Sequence, residues 1–148
     1  MEILLRTYSI TLGCLAALFM ARVAGQAAVA VFHVGFLPPM QEWYSGLLPY
    51  PLLLPVQLAI LAFQFEVSRE LWVGRGRLVV PRPRLGTSLK WFSLVYFVGM
   101  LTRYIITMDL FPERRWFGGS IPIFFHWVLA AYLYLLSRYY RGLPLPLR

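Results

Sequence analysis

Hydrophobic positions in this chain do not alternate with polar ones. They run together in four long stretches broken by short polar segments, over residues 8–36, 47–65, 89–108 and 121–138. A helix that crosses a bilayer needs about 20 predominantly apolar residues, so each stretch predicts one transmembrane helix. The first is the longest. Its apolar character resumes beyond Arg22 and reaches Phe36, too far for the apolar region of about 7–15 residues in a cleavable signal. It predicts a retained helix that tilts or begins in the interface. No internal repeat, low-complexity tract or long linker divides the chain. The expected fold is all-α, a single integral membrane domain over residues 1–148 built as a four-transmembrane-helix bundle.

The connections carry turn and interface signals. Residues 37–46 hold Pro38-Pro39 and Trp43-Tyr44, and residues 109–120 hold Pro112, Glu113, Arg114, Arg115, Trp116 and Gly118-Gly119. Basic residues are distributed unevenly between the two sides. Arg6, Arg69, Arg75, Arg77, Arg82, Arg84, Lys90, Arg138, Arg141 and Arg148 fall on one side of the spans, and only Arg114 and Arg115 on the other. Cytoplasmic loops are the ones enriched in Lys and Arg, so the N and C termini are both expected in the cytoplasm. Trp43, Tyr44 and Trp116 then mark the outer interface, and Trp72, Trp91, Tyr139 and Tyr140 the inner one.

Composition strengthens this reading. The chain is 59% hydrophobic and 14% charged, against about 45–50% and about 25% in soluble domains. A net charge of +8 raises the question of nucleic acid. Because the basic residues flank apolar spans, membrane lipids with anionic head groups are the expected partner, and nucleic acid is not. A short polytopic chain of this kind fits a bacterial inner (cytoplasmic) membrane. Cys14 is the single cysteine, which excludes a disulfide or a cysteine metal site within one chain. Its position within an apolar stretch predicts a small packing residue.

Polar residues inside the spans are the next signal, because burying them in hydrocarbon costs free energy. A central Arg costs about 2.5–3.5 kcal/mol on insertion scales. Arg22, Gln26 and His33 recur on one face of the first helix, and Gln57 and Gln64 on one face of the second. Tyr96, Arg103 and Thr107 do the same in the third, and His126, Tyr134 and Ser137 share a broad face of the fourth. Such stripes should face one another. Arg22 is too central to reach the head groups, and Gln57 or Glu66 is its expected partner. By helical rise, His33 lies roughly 5 Å and His126 and Arg103 roughly 10 Å inside the outer boundary. The two histidines of the chain therefore come to similar depth on different helices.

Three functional readings follow. A non-catalytic accessory or binding subunit of a larger membrane complex asks least of the sequence. The ridge Gly13, Ala17, Ala21 and Gly25 would let another helix approach closely, within the bundle, in self-association or from another subunit. A b-type haem for electron transfer is the second reading, with His33 and His126 as axial ligands and Arg103 against a propionate. The third is a small lipid- or quinone-binding enzyme whose pocket draws on Arg22, Gln26, Gln57, Tyr96, Tyr104 and Trp127. Pro49, Pro51 and Pro55 are expected to distort the second helix beside such a cavity. Catalysis has little else to stand on. The spans hold no pair of carboxylates, no His-rich box, and no Ser or Cys at useful spacing from a His.

The charge bias generates a direct test. Reporter fusions after Ser88 and after Arg148 are expected to read cytoplasm, and a fusion at Met40 the opposite side. A non-cytoplasmic signal after Ser88 would overturn the orientation.

Overall fold

The structure is a computed structural model in which residues 2–43, 49–111 and 120–143 are described. Their regular structure is entirely helical: α1 (Glu2–Phe32), α2 (Met40–Trp43), α3 (Tyr50–Val73), α4 (Pro83–Leu110) and α5 (Ser120–Tyr140). Helices α1, α3, α4 and α5 are each long and apolar enough to cross a membrane. Tyr44, the segment 112–119 with Arg114, Arg115 and Trp116, and the Pro144-Leu145-Pro146 tail lie outside the described residues.

The helices begin and end where local chemistry dictates, which is not where hydropathy falls off. Helix α1 starts earlier than the apolar stretch, at Glu2, whose carboxylate pairs with Arg6 one turn on at 2.8 Å and suits the positive end of the helix dipole. It stops at Phe32 rather than continuing to Phe36. His33 takes a left-handed conformation (φ 51°) just past the end, the position where chains leave a helix, and Pro38-Pro39 cannot extend it. Helix α3 continues two turns beyond Phe65 because the polar residues there are helical. Glu66 and Arg69 pair across one turn at 2.6 Å, and left-handed Gly74 (φ 70°) closes the helix. Pro49 caps α3 and Pro51 lies in its first turn, where a missing N–H costs nothing. Only Pro55 is interior.

Packing sets the helices in the spatial order α3, α1, α5, α4. Helix α1 packs against both α3 and α5, and α4 packs against α5. No backbone contact joins α3 to α4. Each peripheral helix is buried along one stripe, Gln57, Leu61, Gln64, Val67/Ser68 and Leu71 on α3, and Gly86 and Ser93 on α4. The outward faces are apolar. Trp91, Phe92, Val95, Val98, Ile105 and Ile106 all stand exposed on α4. Cys14 is exposed on α1, so it is not the buried packing residue the sequence suggested. The small-residue ridge divides: Gly13 faces Ser68 and Gly25 faces Trp43, while Ala17 and Ala21 are exposed.

The basic end of the bundle is tightly packed. Tyr8, Leu12, Ala16, Val67, Leu71, Tyr132, Leu136, Tyr139 and Tyr140 form its core. Tyrosine hydroxyls tie backbones together there. Tyr8 donates to the Leu143 carbonyl at 2.5 Å, Tyr132 to the Gln64 carbonyl at 3.1 Å, and Tyr139 to the Val79 carbonyl. Gly86 admits the close approach of α4 to α5, since a Cβ at that position would lie 2.9 Å from the Ser137 carbonyl oxygen.

That contact is testable. Gly86→Val is expected to lower stability in detergent by about 1–3 kcal/mol through overpacking against backbone. Gly99→Val is the control, because nothing lies within 4 Å of a Cβ there. Equal unfolding temperatures for the two variants would show that α4 does not pack on α5 through Gly86.

Candidate functional site

At the opposite end the packing loosens and the polar residues meet. Arg22 is 7% exposed, Gln57 4% and Gln26 fully buried. The Arg22 guanidinium donates to Gln26 Oε1 at 2.8 Å and to the Trp43 carbonyl at 3.0 Å. Gln57 Nε2 donates to the same Gln26 Oε1 at 3.2 Å. Gln26 Nε2 in turn reaches the Trp43 carbonyl at 3.4 Å. Arg22 therefore does not pair with Gln57 or Glu66. Its acceptors are a neutral amide one helical turn away and a loop carbonyl.

The chain between α1 and α3 folds back to supply that carbonyl. Trp43 Nε1 donates to the Pro38 carbonyl at 2.8 Å, which ties the segment into a compact turn. The indole lies over Gly25, where a Cβ would come within 2.7 Å of the ring. Glycine is what lets Trp43 sit low enough for its carbonyl to meet Arg22.

A cavity of about 200 Å³ opens beside this network, lined by Phe19, Arg22, Leu53, Val56, Gln57, Ile60, Tyr96, Pro122, Phe125, His126 and Leu129. His126 Nδ1 is hydrogen-bonded to the Tyr96 hydroxyl, which joins α5 to α4 at the cavity wall. Three polar atoms of the neighbourhood are buried without a partner: Arg22 Nε, Gln57 Oε1 and the Tyr50 hydroxyl.

A second, larger space of about 560 Å³ runs along the gap between α3 and α4. Val56, Ala59, Ile60, Phe63 and Gln64 form one wall, Phe92 and Tyr96 the other, and Leu129, Tyr132 and Leu133 the floor. It shares Val56, Ile60, Tyr96 and Leu129 with the polar cavity. The two are one cleft with an apolar groove and a polar inner end.

Magnitudes show why that end is unusual. In a bilayer, inserting Arg22 would cost about 2.5–3.5 kcal/mol. Hydrogen bonds between membrane helices reach at most about 1.7 kcal/mol each. Its two bonds roughly match the cost and leave no surplus. Nε remains without a partner.

The residues expected to form a site are only partly brought together. Arg22, Gln57, Tyr96 and His126 line the cavity, and Gln26 supports it from behind. Arg103 lies on the Tyr96 face two turns along α4, where its carbonyl accepts from the Thr107 hydroxyl, and it does not line the cavity. Trp127 and Tyr104 pack edge to face with each other, and neither lines the cavity. His33 is exposed beyond the end of α1 and does not line it either. Trp43 was missed as a site residue because its contribution is a backbone carbonyl, which sequence pattern does not mark. Comparison with protein-family models, curated proteins and solved structures finds no match.

The shared acceptor can be tested. Gln26→Leu strands donors of both Arg22 and Gln57 and is expected to reduce stability by about 1–3 kcal/mol. Thr102→Leu, on the exposed face of α4, is expected to leave thermal unfolding unchanged. Indistinguishable melting of the two variants would remove Gln26 from its structural role.

Proposed function

We propose that the protein is a non-catalytic integral membrane binding protein that holds an amphiphile in the cleft between α3 and α4, its polar head against Arg22, Gln57 and His126. One observation carries this reading. The apolar groove ends at a cavity where Arg22 Nε and Gln57 Oε1 are buried and unpartnered. Binding sites combine mostly apolar walls with a few converging polar groups, and this cleft has that composition. A buried polar group left without a partner costs about 1–3 kcal/mol, so a head group that accepts from Arg22 Nε gains affinity there.

The gap between α3 and α4 supports the same reading. With the outward faces of the helices in lipid, the groove opens sideways into the bilayer, and a hydrocarbon tail enters without crossing water. Lipids of the surrounding bilayer are therefore the natural source of ligand. Such a protein fits an accessory role, presenting or sequestering an amphiphile for other membrane proteins.

Mass spectrometry of the detergent-purified chain tests the proposal. About one amphiphile per chain is expected to survive delipidation. Ala59→Trp, which fills the groove from its wall, is expected to abolish that retention without unfolding the bundle. Retention equal to wild type in a folded Ala59→Trp protein would place the ligand elsewhere, and no retained amphiphile in wild type would end the reading.

A further inference from the structure

The charge balance around the cleft identifies the head group more narrowly, on the premise that the cleft holds an amphiphile. The chain has six acidic residues, and the three with described carboxylate partners are all committed at the basic end. Glu2 holds Arg6, Glu66 holds Arg69, and Glu70 accepts from the Leu78 amide. Arg22 is 7% exposed, yet the atoms it bonds are the neutral Gln26 amide and the Trp43 carbonyl. The Arg22 guanidinium thus lines a cavity that no described carboxylate neutralises.

Size divides the ligand between the two spaces. The polar cavity, about 200 Å³, is smaller than the apolar groove of about 560 Å³. Phe19, Pro122 and Phe125 are among the apolar side chains that bound it. The head therefore belongs in the cavity and the hydrocarbon in the groove. We propose that the head is an oxyanion, a carboxylate or phosphomonoester borne on a hydrocarbon chain, which supplies the counter-charge that no described carboxylate gives Arg22. Arg22 Nε donates to it as a charge-assisted bond.

Binding of oleate and oleyl alcohol to the delipidated full chain in detergent separates charge from hydrocarbon. Oleate is expected to bind about tenfold or more tightly than oleyl alcohol, and phosphatidic acid to displace it better than phosphatidylcholine. Arg22→Gln is expected to erase the preference for oleate, weakening oleate about tenfold more than the alcohol. Gln57→Glu places a carboxylate beside Arg22 and is expected to have the same effect, which keeps the test open if Arg22→Gln does not fold. Equal affinity of wild type for oleate and oleyl alcohol would overturn the oxyanion while leaving the amphiphile cleft standing. Failure to bind either would overturn the cleft itself. Displacement of oleate by inorganic phosphate alone at millimolar concentration would show a site for a free anion and overturn the requirement for a lipid.

Discussion

Arg22 is the constraint around which the upper half of this bundle is organised. A guanidinium two-thirds of the way along a long apolar helix can neither reach water nor remain unbonded. The chain answers with neutral acceptors from three places: Gln26 on the same helix, Gln57 on α3 through Gln26, and the Trp43 carbonyl from the folded-back connection. Gly25 belongs to the same solution, because only a residue without a side chain admits the Trp43 ring at that depth. Removing any one of these leaves a buried donor or acceptor stranded, so they are coupled although they are far apart in sequence.

The two ends of the molecule divide the labour. At the basic end a large aromatic and aliphatic core is locked by tyrosine hydroxyls that donate to backbone carbonyls of other segments. At the other end the core shrinks to Phe19, Val23 and Leu61, and the space released becomes the cleft. A bundle closed into a full ring would have filled this volume with α3–α4 contacts. Because the backbone of α4 packs on α5 and on no other described helix, the gap stays open on the outside of the bundle. Rigidity at one end allows openness at the other without loss of the fold.

Tyr96 and His126 link the cleft to α4. Their hydrogen bond is one of the polar ties between α4 and α5, beside the aromatic contacts of Phe97 and Tyr104 with Trp127. Any group that enters the cavity meets this pair on one wall and Arg22 with Gln57 on the other. The head-group site therefore depends on the spacing of α5 from both its neighbours, and not on any one helix.

Four long apolar helices were legible in the sequence because hydropathy and length act locally, residue by residue. The polar stripes were legible for a related reason: Arg22 with Gln26, and Gln57 with Gln64, recur at helical spacing, and a helix turns such spacing into a face. Helix ends were less so. Glu66 and Arg69 read as loop when judged by hydropathy, yet they pair across a helical turn. The spatial order α3, α1, α5, α4 depends on which surfaces fit, and no single stretch encodes that. Only the tertiary structure placed the Trp43 carbonyl on Arg22, carried His33 out of the site by ending α1 at Phe32, and left α3 apart from α4. Those outcomes rest on backbone atoms and on contacts between distant segments, which carry no signature in the identity of any one residue.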